Sequence, residues 1–241
     1  MRDQYVGDVS DLLKYALLRT LAGDDRRLGI AWYYNPGSDA RKDGRHTEYM
    51  GEDKWVALDA ALLSALRTLS ERSLAAIEQL AIWPAGVRFH GEPVPDWRSR
   101  GGWAAGMAQS FGNADLVFLD PDNGVGRHRG RRHATLAEVK LLRRPGERAL
   151  VLIKFPARTR FDKQEETYHG DIRRETGASR LLTLRTSVAV PTSSGGKVPR
   201  SRWFTMIDHD DVLAGRFVNF AHKLSSIPGA RAIIRRECGG P

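Results

Sequence analysis

Apolar positions recur along this chain with two different periods, and their alternation sets the expected fold. In VSDLLKYALLRTLAG, Leu12, Leu13, Ala16, Leu17 and Leu21 fall on one helical face. Ser10 or Asp8 is placed to cap that helix, and Gly23 stands where it would stop. LGIAWYYNPG then reads as a buried strand, Leu28 to Tyr34, entering a turn at Asn35-Pro36-Gly37. KWVALDAALLSALRTLSERSLAAIEQLAI keeps helical spacing and predicts two helices or one broken one. GVRFHGEPV predicts a short strand, and GGWAAGMAQSFG a weak helix with costly glycines. DLVFLD is the clearest buried strand, followed by a helix in ATLAEVKLLRR, a buried strand in ALVLIKFP and a polar helix in KQEETYHGDIRRETG. The end differs in kind. LLTLRTSVAVP alternates, PTSSGGKVPRS is turn-rich, RWFTMID predicts a second strand, and DVLAGRFVNFAHKLSSI an amphipathic helix.

Strands separated by helices and closed by a hairpin predict an α/β fold. The expectation is a Rossmann-like, mostly parallel sheet with helices on both faces and a C-terminal antiparallel hairpin. No repeat or low-complexity linker divides the chain, so residues 1–241 are read as a single α/β domain. Working residues of such sheets gather at the carboxyl ends of the strands. Three predicted strand ends carry polar turns: NPGSDARKDGRH, DPDNG and KFPART.

Composition narrows the setting. No apolar run reaches bilayer length, and MRDQYVGDVSDLLKY has acids where a signal peptide needs a basic start and an apolar centre. The single cysteine, Cys238, excludes an internal disulfide and a cysteine-rich zinc site, and the expected compartment is the cytoplasm. Lys and Arg total 38 against 29 acids, a net charge of +9. Arginines cluster in GRHRGRRH (126–133), LLRRPGER (141–148), KVPRSR (197–202) and RAIIRRE (231–237). Guanidinium forks match phosphate oxygens in pairs, so the expected partner is nucleic acid; the alternative is general arginine enrichment. Arg127, Arg129, Arg131 and Arg132 are the candidate phosphate contacts, and Trp97, flanked by Asp96 and Arg98, a candidate base-stacking residue. The other tryptophans are expected in packing.

DPDNG, Asp120 to Gly124, admits three readings. Its residues all favour turns. Asp120 and Asp122 could also hold magnesium in a phosphoester hydrolase or nuclease, with IDHDD (207–211) supplying further carboxylates. Thirdly, enzymes that methylate base amino groups carry Asp-Pro-Pro-aromatic at a strand end, and Asp120-Pro121 matches its first half.

The whole chain resembles the bacterial large-subunit ribosomal RNA adenine amino-methyltransferases of the J type. Their entry helix reads Gly-Asn-His-Ala-Asp-Val-Leu-Lys-His, where Gly7 to Tyr15 read GDVSDLLKY here. VFLDPDN matches their Leu-Ile-Asp-Pro-Pro-Tyr, Lys154-Phe155-Pro156 their Trp-Tyr-Pro, and the final strand–loop–strand–helix order agrees. The resemblance implies S-adenosyl-L-methionine as cofactor, Lys14 and Tyr15 near it, and Asp120 receiving the target amino group. Asp122 and Asn123 replace the base-gripping half of the motif. The family's glycine-rich turn is represented only by NPGSDARKDGRH, so Asn35 and Gly37 are the candidate cofactor contacts there, and Glu92 would hold the ribose. A non-catalytic nucleic-acid binder with a degenerate pocket remains an alternative.

Further candidates stand outside these motifs. Asp43 and His46 form an acid–base pair, contribute to a metal site or belong to a solvated loop. Lys154, ending a buried strand, needs a partner, and Asp120 is the expected one, which adds Lys154 to the catalytic candidates. His90 is expected to be structural, while His128 and His133 belong with the arginine cluster.

Overall fold

The computed structural model describes residues 1–37, 46–127, 130–191 and 195–236. In chain order the elements are α1 (Val9–Ala22), β1 (Leu28–Ala31), α2 (Val56–Arg67), α3 (Leu74–Glu78), β2 (Arg88–His90), α4 (Arg100–Ser110), β3 (Leu116–Leu119), β4 (Val125–Gly126) and β5 (Ala134–Thr135). There follow α5 (Leu136–Leu142), β6 (Ala149–Lys154), α6 (Phe161–Thr176), β7 (Leu181–Pro191), β8 (Lys197–Ile207), α7 (Asp211–Ser225) and β9 (Ala230–Arg236). Seven strands form one sheet in the order β2-β1-β3-β6-β8-β7-β9, and β4 and β5 pair separately. The strands β2, β1, β3 and β6 are parallel, β8 runs against β6, and β7 and β9 complete an antiparallel edge. This is the Rossmann-like α/β arrangement expected from the periodicity.

Strand alternation sorts the core into two layers. Leu116, Phe118, Val151 and Ile153 join one cluster with α1, α2 and α7. Val117, Leu119, Leu150 and Leu152 point the other way, against α4, α5 and α6. Both ends of α1 follow the sequence cues. Asp8 accepts a hydrogen bond from the Ser10 amide, and Gly23 ends the helix at φ +52°.

Some boundaries differ from expectation. The first strand ends at Ala31, not Tyr34, because Tyr33 turns to φ +47° and sends its hydroxyl 3.0 Å to Glu138. KVPRS is strand, not loop, and the basic run RAIIRR forms β9. The last miss has a physical cause: Arg231, Ile233 and Arg235 share the exposed face of an edge strand, where charge is tolerated because the strand borders solvent.

Several arginines read as polyanion contacts serve the fold. Arg148 is buried and donates to the carbonyls of Ala114 and Leu142 at 2.8 and 3.1 Å. Arg143 pairs with Asp208 at 2.6 Å. Arg100, equally buried, meets Glu138 at 2.6 Å, and Glu138 also accepts from the Thr135 amide at 2.9 Å in a capping box that starts α5. Replacing Glu138 by Ala strands the Arg100 charge and should cost about 3–5 kcal/mol. Urea unfolding checks this; a loss under about 1 kcal/mol would mean that Arg100 finds water or another partner.

Candidate active site

β3 delivers Asp120 to the carboxyl end of the sheet, where its backbone amide donates to the Ala31 carbonyl at 2.8 Å and the residue is 2% exposed. Helix α1 brings Lys14 across to it. The Lys14 Nζ lies 2.8 Å from Asp120 Oδ2 and 2.6 Å from Asp11 Oδ1, one helical turn away on the same face. Asp11 is fixed in turn by the Gly7 amide, which donates to its Oδ2 at 2.9 Å.

The turn after Asp120 depends on Gly124. Its φ is +84°, and a Cβ there would lie 3.0 Å from the Ile153 carbonyl oxygen. The Asn123 amide donates to the Arg132 carbonyl at 2.8 Å, tying the turn to the loop before β5. Asp122 faces the Met1 amino group at 3.0 Å and the Arg2 guanidinium at 3.6 Å.

Two carboxylates thus share one buried ammonium. Burial would by itself discharge Lys14, but Asp11 and Asp120 outweigh it and hold its pKa above the ordinary value. Burial, opposed by Lys14 and reinforced by Asp120, pushes Asp11 up to about 6. Arg202 is drawn down to about 10, chiefly by burial.

A cavity of about 320 Å³ opens over this cluster. Asp120, Asp122, Asn123, Lys14 and Arg132 line it, joined by Asp8, Ser10, Asp11, His46, Phe155, Arg200 and Arg202. Sequence reading took Asp8 only as a cap and missed Asp11. The spacing of Asp11 and Lys14, three apart on a helix, was the available signal. Arg200 and Arg202 were visible only as charge, because their approach depends on the β6–β8 pairing.

Other candidates lie elsewhere. Tyr15 is fully buried, with its ring against Trp32 and Trp83, and does not line the cavity. Asn35 reaches the Met1 carbonyl through its amide at 2.9 Å, while Gly37 and Glu92 are exposed. Lys154 does not pair with Asp120. Its Nζ sits over the Tyr168 ring at 4.7 Å, and burial lowers its pKa. Lys14 takes Asp120 because β6 turns the Lys154 side chain to the opposite face from Ile153. Arg127 pairs with Asp171 at 3.0 Å, Arg131 is exposed outside the cavity, and Trp97 is 48% exposed. His46 Nε2 lies 3.1 Å from Arg200. Buried His90 packs on Trp103 and Phe111. Arg129, His128, Asp43 and Cys238 lie outside the described residues.

The magnesium reading finds little support in this geometry. Asp120 and Asp122 face cations, and no cluster of three or more His, Cys, Asp or Glu suited to a metal occurs among the described residues. IDHDD lies at the opposite end of the sheet, because β8 is antiparallel to β6. There Asp208 pairs with Arg143, and Asp210 caps α7.

No protein-family model matches the chain, and no curated protein sequence matches it. Among solved structures, protein LPL1258 from Legionella pneumophila str. Philadelphia 1 (family model DUF519) superposes with a TM-score of 0.52. Identity is 13%, over 96% of this chain and 98% of that one, which shows a shared fold. The SAM dependent methyltransferase from Agrobacterium tumefaciens superposes at 0.40 with 14% identity, over 82% of this chain and 61% of its own, too loosely to carry an argument. No helix among the described residues is long and apolar enough to cross a membrane.

The lining can be tested against the cofactor that the sequence resemblance implies. S-adenosyl-L-methionine carries an ammonium, a carboxylate and a sulfonium at its methionine end. A cavity lined by Asp8, Asp11 and Asp120 together with Lys14, Arg200 and Arg202 offers both signs at the required scale. The residues therefore fit that end. The adenosyl end has no such match among the described residues, since Gly37 and Glu92 are exposed and outside the cavity.

Two outcomes follow. Gly124→Ala should cost about 1–3 kcal/mol, through positive φ and contact with the Ile153 carbonyl, read as a lower urea midpoint. Asp11 keeps its proton to about pH 6 when folded but only to about 3.8 when unfolded, so folding takes up a proton between those values. Its stabilising contribution is complete below pH 3.8 and lost as pH rises through 6. Asp11→Asn should remove that decline from the stability–pH curve; an unchanged curve would show that Asp11 titrates normally.

Proposed function

We propose that the chain is an S-adenosylmethionine-dependent methyltransferase acting on an amino group of a nucleic acid, RNA favoured over DNA. The observation that carries this reading is a buried carboxylate at the end of β3, clamped by Lys14 inside a cavity of cofactor scale lined by both signs of charge. When bound, the cofactor supplies an electrophilic methyl group. The finer likeness to the J-type ribosomal RNA enzymes belongs to the same proposal and rests on the ordered motifs.

Each residue then has a physical task. Lys14 donates to Asp120 Oδ2, which fixes the carboxylate in direction. Oδ1 accepts an N–H of the target amine and holds its lone pair toward the methyl donor. As the N–C bond forms the C–S bond would break, S-adenosylhomocysteine would leave, and Asp120 would take the proton released by nitrogen, so the rate gain is mainly one of positioning. Asp8 and Asp11 supply negative charge for the donor's ammonium, and Arg200 and Arg202 positive charge for its carboxylate. Phe155, on the cavity wall, takes the stacking role that Asn123 cannot fill, with the Arg202 guanidinium 4.5 Å from its ring centre.

Calorimetric titration with S-adenosylhomocysteine, with and without magnesium, tests the cofactor. The expected result is saturable, magnesium-independent binding that weakens about tenfold or more in Lys14→Ala. Absence of binding in both conditions would defeat the transferase reading.

A further inference from the structure

Of the arginines predicted as phosphate contacts, Arg132 lines the cavity, Arg127 pairs with Asp171 and Arg131 is exposed outside it; a second cationic and apolar surface adjoins the cavity on the β7–β8 hairpin. Strand β6 ends at Lys154, opposite Trp203 of β8, whereas β8 begins at Lys197. The β7–β8 hairpin therefore extends past the carboxyl ends of the parallel strands and stands beside the cavity as a wall. Its cross-strand rows are explicit. Trp203, Arg185 and Ile233 lie in register across β8, β7 and β9, and Ser201, Ser187 and Arg231 form the next row on the same face.

Between these rows and the Phe155–Phe161 segment lies a groove of about 590 Å³. Phe155, Arg200 and Arg202 line both the groove and the Asp120 cavity, so the two spaces adjoin along these side chains. Along the groove, Ile233 is 55% exposed and Phe161 36% exposed, with the Phe161 ring edge-on to buried Trp203. Arg158 and Arg231, both exposed, make no ion pair with any described residue. Arg185 differs, being held by Glu165 and Asp162 beneath Trp203.

We infer that this groove is the track for a single-stranded nucleic acid, whose acceptor nucleotide enters the Asp120 cavity past Phe155. The inference rests on the reading of that cavity as an acceptor site. Charge complementarity identifies the occupant: guanidinium groups spaced along a groove take phosphates, and the aromatic and apolar surfaces between them take base faces. A duplex hides its base faces, so a single strand or an unpaired loop fits and a regular helix does not.

Fluorescence anisotropy with a short labelled single-stranded RNA, its DNA counterpart and the RNA duplex tests the track without any cofactor. The charge reversal R158E/R231E, at two exposed positions where folding is not at stake, should weaken single-strand binding about tenfold or more. It should also reduce the slope of log affinity against log salt by about 1.4, roughly 0.7 per lost phosphate contact. I233S should weaken binding with the salt slope unchanged, which separates stacking from charge. R127E/R131E should leave single-strand affinity within about twofold. Full binding in R158E/R231E, loss confined to R127E/R131E, or preference for the duplex would each overturn the inference. Comparison of RNA with DNA names the natural strand. In the unaltered chain, groove-dependent binding without methyl transfer would defeat the transferase reading and leave the track standing.

Discussion

One buried ammonium between two buried carboxylates organises the cavity end of this molecule. Lys14 lies within 2.8 Å of both Asp11 and Asp120, and each buried carboxylate has it as a charge partner. The contact joins α1 to the end of β3, so the entry helix cannot shift without uncovering Asp120. Burying a lysine to hold two acids costs desolvation energy that an apolar core would avoid. That cost, met at a strand end inside a cavity, is the ground on which the cluster is proposed as a working site.

The rest of the sheet supports this end in stages. Parallel strands bring Ala31, Asp120 and Phe155 to one edge. Reversal of β8 sends IDHDD to the far edge, where Asp208 and Asp210 serve Arg143 and α7, and returns Arg200 and Arg202 to the near edge. The hairpin overhang then adds a wall that a purely parallel sheet would lack. The cavity and the groove beside it are thus consequences of one change in strand direction.

Much of the fold was legible in the chain. The 3.6-residue period of VSDLLKYALLRTLAG and the continuous apolar runs LVFL and ALVLI gave the elements, because burial on one helical face or both sheet faces leaves those patterns. RAIIRR was not legible as β9, since its three apolar residues stand together between arginines without alternation, and the run reads as a charge cluster. At the site, Asp120 and Lys14 were found through short motifs. Asp11 was not, because its importance arises from sharing a lysine with a residue 109 positions away. Lys154 was paired with Asp120 on strand proximity, and the side-chain direction set by the pleat decided against it. Arginine clusters proved the least readable feature: Arg143 and Arg148 hold the fold, and Arg200 and Arg202 line the cavity.

The most direct test follows labelled methyl from S-adenosylmethionine into RNA, comparing the unaltered chain with Asp120→Ala. Lys14 keeps Asp11 as a partner in that variant, so the fold and the cofactor site should survive. The account predicts transfer to an amino nitrogen that falls about a hundredfold or more in the variant, with S-adenosylhomocysteine affinity within about threefold. Transfer that persists without Asp120, or no transfer from a chain that binds both cofactor and RNA, would contradict it.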